Sequence, residues 1–146
     1  MVDVLGDESL HEFIGGAPAT LADLRDRYVR MVAGPGRPDE AWCNWIVRTR
    51  TDDRPVGTVQ ATLTRADDER WAAEIAWIIG VVWQGRGFAS EAARALVRSL
   101  QGHGVQDVRA NIHPDHTTSA AVARAAGLHP TEPTVGGEVV WALAAT

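Results

Sequence analysis

The sequence predicts an α/β (α+β) fold in which a largely antiparallel sheet is flanked by helices. The first observation is hydrophobicity of period two between Trp42 and Ile79, interrupted by short polar turns. The second is an amphipathic stretch from Ser90 to Leu100, with aliphatic side chains on one side and arginines on the other. The third is a strand, helix and strand pattern downstream. Because 146 residues without a long linker or repeat suffice for one core, we expect a single domain over residues 1–146.

The N-terminal region is predicted to be helical. Glu8 to Ile14 has helical spacing and is followed by two glycines. A longer helix is predicted from Thr20 to Val32, and Thr20 with Asp23 three residues later resembles a capping box. The tract GPGRPD that follows predicts a loop.

The rest of the chain alternates between strand and helix patterns. The first three strands are joined by short turns, which predicts an antiparallel meander. Glycines that follow the two helical stretches predict where each helix ends. The predicted elements are, in order, strands Trp42–Thr49, Val56–Thr64 and Trp71–Ile79, helix Ser90–Leu100, strand Val105–Ile112, helix Thr118–Ala126 and strand Glu138–Ala144.

Composition argues against several classes of protein. The net charge of −5 and the acidic clusters around Asp52 and Asp67 argue against a nucleic-acid partner, which needs a basic face. The single cysteine, Cys43, excludes an internal disulfide, and its apolar neighbours predict a small buried hydrophobe rather than a nucleophile. Because no apolar run approaches the roughly 18 residues of a membrane span, and the first residues lack a signal-peptide pattern, we expect a cytoplasmic protein with no membrane partner.

The most informative segment is QGRGFAS, Gln84 to Ser90, which connects a predicted strand to the amphipathic helix. Its glycines let backbone amides point to one side, and the helix N-terminus adds about half a positive charge, so the segment suits a bound anion. A glycine-permitted turn with nothing bound is the structural alternative. The dinucleotide fingerprint fails at Ser90, where it needs a third glycine, and a P-loop is excluded because the chain has no lysine.

The spacing that fits this segment is Q-x-x-G-x-A, formed by Gln84, Gly87 and Ala89. It resembles the acetyl-CoA pyrophosphate loop of the GNAT superfamily of N-acetyltransferases, whose signature is R/Q-x-x-G-x-G/A. The strand segments VGTVQAT, AEIAW and GEVVWAL look most like the branch that includes the ribosomal-protein N-terminal acetyltransferases.

A second segment, NIHPDHTTSAAVARAAGL, lies downstream and strengthens the resemblance. It is similar to the other CoA-binding segment of the family, a strand end followed by an Asn-x-x-Ser helix that closes with Gly-Phe or Gly-Leu. His116 stands where the asparagine usually is, Ser119 follows three residues later, and Gly127 with Leu128 forms the close.

The resemblance covers about Trp42 to Trp141 and implies both fold and activity. The fold would be a GNAT-like mixed, largely antiparallel sheet flanked by helices. The activity would be transfer of an acetyl group from the co-substrate acetyl-CoA to a primary amine, on a protein N-terminus or a small molecule. Family members normally begin with a strand that MVDVLGD does not supply in full, so we expect the first strand to be missing or very short. A short Val2–Leu5 strand, solvent or a partner chain would then cover the sheet edge, and we expect a homodimer.

The resemblance also implies a set of CoA-binding residues. Side chains at the end of the third meander strand would run beside the pantetheine, and a main-chain N–H near Ile79 or Val81 would polarise the thioester carbonyl. Loop N–H groups would hold the pyrophosphate, and His116 would contact CoA in place of asparagine. The expected CoA-binding residues are Trp77, Ile78, Ile79, Val81, Gln84, Gly85, Arg86, Gly87, Phe88, Ala89, Ser90, His116 and Ser119.

Glu74 in AEIAW is the candidate general base. The attacking amine must first lose a proton, because its pKa is about 8 for an α-amino group and about 10.4 for lysine. A similar AEI segment in histone-acetylating relatives contains the base. The alternative is a carboxylate that anchors a neighbouring strand or faces solvent. Asn111 stands where some members have a catalytic glutamate, and an asparagine cannot be a base.

Protonation of the departing thiolate is less clearly provided for. Many relatives use a tyrosine four residues after the motif serine, and this chain has Ala123 there. Either solvent protonates the thiolate, or Ser119 or His116 takes part; Ser119 is the second catalytic candidate. A second hypothesis follows, that the chain is an acyl-CoA-binding module with little or no turnover. A nucleotide other than CoA in the loop is a third alternative, because the physics of the loop is not unique to CoA.

Two further patterns favour packing over chemistry. The segment HPDH, His113 to His116, lacks a third convergent ligand and helical presentation, so we expect no metal. Large rings at alternating strand positions predict core or rim packing, with one or two near the loop lining the acceptor pocket. The tryptophans in question are Trp42, Trp45, Trp71, Trp83 and Trp141.

Overall fold

The structure, a computed structural model, describes residues 39–65 and 69–143. The helices predicted between residues 8 and 32 and the short strand predicted at residues 2–5 lie outside that part. The described residues form a six-stranded sheet with the order β1-β2-β3-β4-β6-β5. The elements are β1 Glu40–Arg48, β2 Pro55–Arg65, β3 Trp71–Ile79, α1 Phe88–Gly102, β4 Asp107–Ile112, α2 Thr117–Ala125, β5 Leu128–Val135 and β6 Glu138–Leu143.

The predicted antiparallel meander is present as β1, β2 and β3. Trp45 pairs with Val59, and Val59 pairs in turn with Trp77, which continues one row across all three strands. Along β3, Ala73 and Ile75 are buried whereas Glu74 and Ala76 are exposed. The alternation sends one set of side chains into the core and leaves the other on the opposite face, as period-two hydrophobicity requires.

The middle of the sheet contains its one parallel pair in the described part. The chain crosses from β3 to β4 through α1, and the two strands pair only where residues 72–74 face residues 107–109. Beyond Glu74 and Arg109 no further ladder pair joins them, although β3 continues to Ile79 and β4 to Ile112. The two strands therefore stop pairing before either one ends. The candidate site described below lies at this end of the two strands.

Both helices pack on the same face of the sheet. The buried face of α1 is formed by Ala93, Leu96, Val97 and Leu100, the positions that its helical periodicity predicts. These side chains join buried residues from the strands and α2 in the core. The strand and helix residues of that cluster include Ile75, Val108, Ala110, Val122, Ala123, Leu128 and Trp141.

The expected fold is confirmed, with corrections to individual elements. The sequence interpretation missed β5, Leu128–Val135, because it contains Pro130 and Pro133. Proline lacks the N–H that a central strand must donate, but β5 is an edge strand in which only one side is paired. Other bounds shift by one to two residues: α1 begins at Phe88 rather than Ser90, and β4 begins at Asp107 rather than Val105.

The tryptophans divide into buried and exposed groups. Trp141 is 5% exposed and belongs to the core, whereas Trp42 and Trp45 are 38% and 44% exposed. The prediction of core or rim packing is therefore met by Trp141 in the core and by Trp71, which packs half-buried against it, whereas Trp42 and Trp45 on β1 are partly exposed. Cys43 lies between them and is half-buried against the core.

Candidate active site

The segment between β3 and α1 forms a tight, glycine-dependent turn. Residues 81–83 make one turn of 3-10 helix, and Gly85 and Gly87 then adopt φ angles of 77° and 84°. Only glycine takes these left-handed angles without strain. The first helical hydrogen bond runs from the Glu91 N–H to the Gly87 carbonyl at 3.0 Å. The amide groups of residues 88–90 therefore have no partner within the helix, which is the arrangement that suits an anion.

Gln84 fixes the turn to the end of β3. Its side-chain amide donates to the Ile79 carbonyl at 2.9 Å, and its backbone N–H donates to the Val81 carbonyl at 3.2 Å. The connection between β3 and the glycines is thus held by two hydrogen bonds from one residue. Gln84 has a structural role here that the sequence comparison with phosphate loops did not predict.

A cavity of about 60 Å³ lies beside this turn, between β3 and α2. It brings together the two segments that the sequence singled out, which are far apart along the chain. Its walls are mostly apolar, with a few polar groups, which is the chemical character of a small-molecule site, although its volume lies below the usual range of about 300–1,000 Å³. The lining residues are Trp77, Ile78, Ile79, Gln84, Ala89, His116, Thr118, Ser119 and Val122.

Some expected CoA-binding residues lie around the cavity rather than in its wall. Val81, Gly85, Gly87 and Ser90 are in the turn and first helical residues, and Arg86 and Phe88 line a separate groove on the other side. Conversely, the sequence analysis missed two lining residues, Thr118 and Val122. For Val122 the spacing of three residues from Ser119 supplied a usable signal, because residues one turn apart on a helix share a face; Thr118, adjacent to Ser119, carried no such signal.

His116 and Ser119 meet at the start of α2. The Nε2 atom of His116 lies 3.4 Å from the Ser119 hydroxyl oxygen. Burial lowers the pKa of His116, and the nearby His113 lowers it further. A lowered pKa keeps the imidazole neutral at pH 7, so its ring can accept or donate a hydrogen bond without carrying charge into the cavity.

Glu74 lies on the opposite face of β3 from the core and is exposed. The side-chain amide of Asn111 donates to its Oε1 atom at 3.2 Å, across the point where β3 and β4 stop pairing. Glu74 does not line the cavity, and along the strand it precedes Ile78 by four residues, or about 13 Å. The structure therefore gives Glu74 a defined partner and shows no hydrogen bond or ion pair from a described residue to its second carboxylate oxygen.

Ala123 is completely buried and belongs to the core. Like its neighbour Val122 in α2, it has only a hydrocarbon side chain, and such a side chain cannot supply a proton. Within the described residues no group of three or more His, Cys, Asp or Glu side chains is placed to hold a metal ion. Neither α1 nor α2 has the length and apolar character needed to cross a membrane.

Comparison with known proteins places this geometry in a family. The family model described as acetyltransferase (GNAT) domain matches residues 1–129. The chain is similar to a GNAT-family acetyltransferase structure from Bacillus anthracis, with a TM-score of 0.74 and 20% identity over 98% of this chain and 86% of that one. The acetyltransferase from Agrobacterium tumefaciens gives a TM-score of 0.70 and 19% identity over 99% and 82%.

A further similar structure is the aminoglycoside acetyltransferase AAC(6')-Ib in complex with ribostamycin and coenzyme A. Its TM-score is 0.73 at 20% identity, over 97% of this chain and 83% of that one. A search of curated proteins finds no match to the chain. At these identities the structural similarity shows the fold alone.

Proposed function

The chain belongs to the GNAT acetyltransferase family, and from this premise we propose that it transfers an acetyl group from acetyl-CoA to a primary amine by direct attack on the thioester. The observation that carries the proposal is the cavity beside QGRGFAS, in which β3, the glycine turn and α2 contribute lining residues. A narrow, mostly apolar slot beside a row of unpaired helix N-terminal amides suits a pantetheine arm that ends in a pyrophosphate.

CoA would then bind along the turn and β3. The N–H groups of Gly85 to Ser90 hold the pyrophosphate, and Trp77, Ile78 and Ile79 pack against the pantetheine. A main-chain N–H near Ile79 or Val81 polarises the thioester carbonyl, because a donor aimed at the developing oxyanion stabilises the transition state. His116 and Ser119 contact CoA from the α2 side, since both line the same cavity.

Glu74 would act as the general base through water. Its distance along β3 from the cavity-lining Ile78, about 13 Å, is too great for direct proton abstraction from an amine at the thioester. The hydrogen bond from Asn111 at 3.2 Å orients the carboxylate while leaving one oxygen to accept a proton from a water chain. Such a relayed base contributes about 10²-fold or more to the rate.

The thiolate leaving group would be protonated by Ser119, by His116 or by solvent. Ser119 and His116 are 3.4 Å apart and both line the cavity, so a proton can pass between them. The burial of Ala123 in the core supports a second candidate function, an acyl-CoA-binding module with little turnover, because the usual tyrosine donor is replaced by a methyl group.

The acceptor amine is proposed only as a class. Protein N-termini and small-molecule amines both fit a neutral primary amine entering opposite the thioester, and the similar fold of an aminoglycoside acetyltransferase supports testing aminoglycosides among them. A cytoplasmic location fits this proposal because acetyl-CoA is an intracellular metabolite, and a homodimer is part of the same proposal.

Calorimetry with CoA tests the premise that both candidate functions share. We expect binding at micromolar to millimolar CoA; no heat and no thermal shift at millimolar CoA would contradict both. A thiol-release assay with acetyl-CoA and a panel of N-terminal peptides, polyamines and aminoglycosides then separates them. Release of free CoA thiol with at least one amine supports the enzyme, and binding without release supports the module.

Glu74→Gln tests the base. We expect the rate at pH 7 to fall about 10²-fold, because amide nitrogen cannot accept the proton, and the deficit to narrow toward pH 9 as more of the amine loses its proton unaided. Glu132→Gln, on the exposed edge of β5, removes the same charge away from the site and is the matched control. A Glu74→Gln rate that equals wild type from pH 6 to 9 would show that Glu74 is not the base.

A further inference from the structure

A second, larger depression lies on the other side of the glycine turn from the cavity. It is a groove of about 650 Å³ between the β1–β2 turn and the first half of α1. Its volume lies within the range of about 300–1,000 Å³ that is usual for ligand pockets. The described residues that line it are all different from those of the cavity: Val47, Arg48, Thr49, Arg50, Thr51, Asp52, Arg54, Trp83, Arg86, Phe88, Glu91, Ala92 and Ala95.

The groove collects four arginines in a chain whose net charge is −5. Two of them are paired: Arg48 lies 3.8 Å from Asp53, and Arg50 lies 3.6 Å from Glu91. The other two, Arg54 and Arg86, form no ion pair with any described residue. With Asp52 and Glu91 also in its lining, the groove keeps a net excess of exposed positive charge, which favours an anionic ligand.

Arg54 and Arg86 converge on one aromatic ring. Each guanidinium carbon lies 5.2 Å from the ring centroid of Trp83, so the two charges are no farther apart than the sum of those distances. Phe88 packs edge-on against the same ring, with centroids 6.1 Å apart. A guanidinium that contacts an indole through its face keeps its N–H donors in its own plane, where they can reach a phosphate.

The β1–β2 turn holds the backbone of Arg54 in a fixed place. Thr49, at 8% exposure the buried polar residue of the described part, accepts a hydrogen bond from the Arg54 N–H at 3.1 Å through its hydroxyl. Its own N–H donates to the Arg54 carbonyl at 2.9 Å. The Thr49 hydroxyl in turn donates to Asp52. The backbone from which the Arg54 side chain extends is therefore fixed, and the guanidinium itself is placed by its contact with the Trp83 ring.

We propose that this groove is a second anion site, which binds the phosphate group of a phosphorylated ligand through Arg54 and Arg86. The planar fork of arginine matches phosphate geometry, so the two guanidinium groups can donate to the oxygens of one phosphate. The phosphate belongs either to the 3′-phosphate of CoA, reaching around the turn, or to a separate phosphorylated small molecule. The inference does not depend on acetyl transfer, because its readout is binding.

Two titrations distinguish these sources. The first compares CoA with dephospho-CoA by calorimetry, so that a preference for CoA measures contact with the 3′-phosphate. The second adds inorganic pyrophosphate to protein already saturated with CoA, so that the loop amides are occupied. In the titration whose phosphate binds the groove, Arg54→Gln should weaken binding of that phosphate about tenfold, as loss of one charge-assisted hydrogen bond does. The wild-type affinity should also fall with added salt.

Arg65→Gln is the matched control. Arg65 makes the same kind of contact, 5.6 Å above the ring of Trp71, but at the far end of β2 from Arg54. Its substitution should leave both titrations within twofold of wild type. Arg86→Gln removes the other guanidinium donor, which lies in the exposed turn. It replaces Arg54→Gln as the test variant if Arg54→Gln lowers the melting temperature of the protein. If neither arginine variant differs from Arg65→Gln by more than twofold in either titration, the proposal is overturned.

Discussion

Gly57 is the position at which the structure makes the sharpest stability prediction. It lies in β2 opposite Ile79, and the β3 backbone approaches it so closely that a side chain has no room. A Cβ atom at Gly57 would lie 2.1 Å from the Ile78 carbonyl oxygen and 2.8 Å from the Ile79 Cδ1 atom. Because real Cβ contacts essentially never fall under 3.0 Å, the β3 carbonyl would have to retreat by roughly 1 Å.

We therefore expect Gly57→Ala to destabilise the protein. Overpacking of this kind costs about 1–3 kcal/mol. For a domain of this length each kcal/mol lowers the melting temperature by about 2–4 °C, so the predicted fall is roughly 2–12 °C. Because Ile78 and Ile79 line the cavity, CoA affinity should fall with stability. Urea denaturation and calorimetry with CoA measure the two effects.

Gly102→Ala is the control for that substitution. Gly102 is the last residue of α1, and an added Cβ there meets nothing within 4 Å. Alanine at such a site stabilises by about 0.4–1 kcal/mol, because the unfolded chain loses freedom. The reasoning would be refuted by a Gly57→Ala protein that melts within 1 °C of wild type, or by a Gly102→Ala protein that is equally destabilised.

Two further substitutions test the turn and the start of α2. Gln84→Leu removes the donor to the Ile79 carbonyl and should lower the melting temperature by a few degrees for a loss of about 1 kcal/mol; Gln101→Leu, on the exposed side of α1, should not, and equal melting of both variants would contradict the role of Gln84. Because the folded state lowers the pKa of His116, stability should be complete above the ordinary histidine pKa of about 6.5 and fall as the pH drops below it. His116→Asn should flatten this pH dependence in urea melts between pH 8 and 5, and an unchanged slope would show that another group titrates.

Some elements could be predicted from the sequence because their information is local. Strand β3 has the bounds that its alternation predicts, and the buried face of α1 follows helical periodicity residue by residue. The edge strand β5 was missed because Pro130 and Pro133 argue locally against a strand, and only its edge position in the sheet removes the objection. The rings of Trp42 and Trp45 show the converse, since strand alternation does not tell whether a neighbour covers the exposed face.

The site divides in the same way. QGRGFAS and the segment from His116 to Ser119 each carried a recognisable spacing, and the cavity beside the turn contains residues of both. The arginine groove carried no such spacing, because Arg54 and Arg86 are separated by the whole of β2, β3 and the turn. No local sequence pattern predicts that these two arginines contact the same indole ring.

The sequence by itself determined the order of the described strands and helices other than β5, the glycine turn at the head of α1 and the resemblance to acetyltransferases. Only the tertiary structure decided that β3 and β4 stop pairing after Glu74 and Arg109, that Asn111 bonds to Glu74 across that point, and that Gly57 lies against the β3 backbone. The physical reason is that periodicity and turn chemistry act between near neighbours in the chain. Register and close approach instead depend on the packing of segments that the sequence keeps far apart.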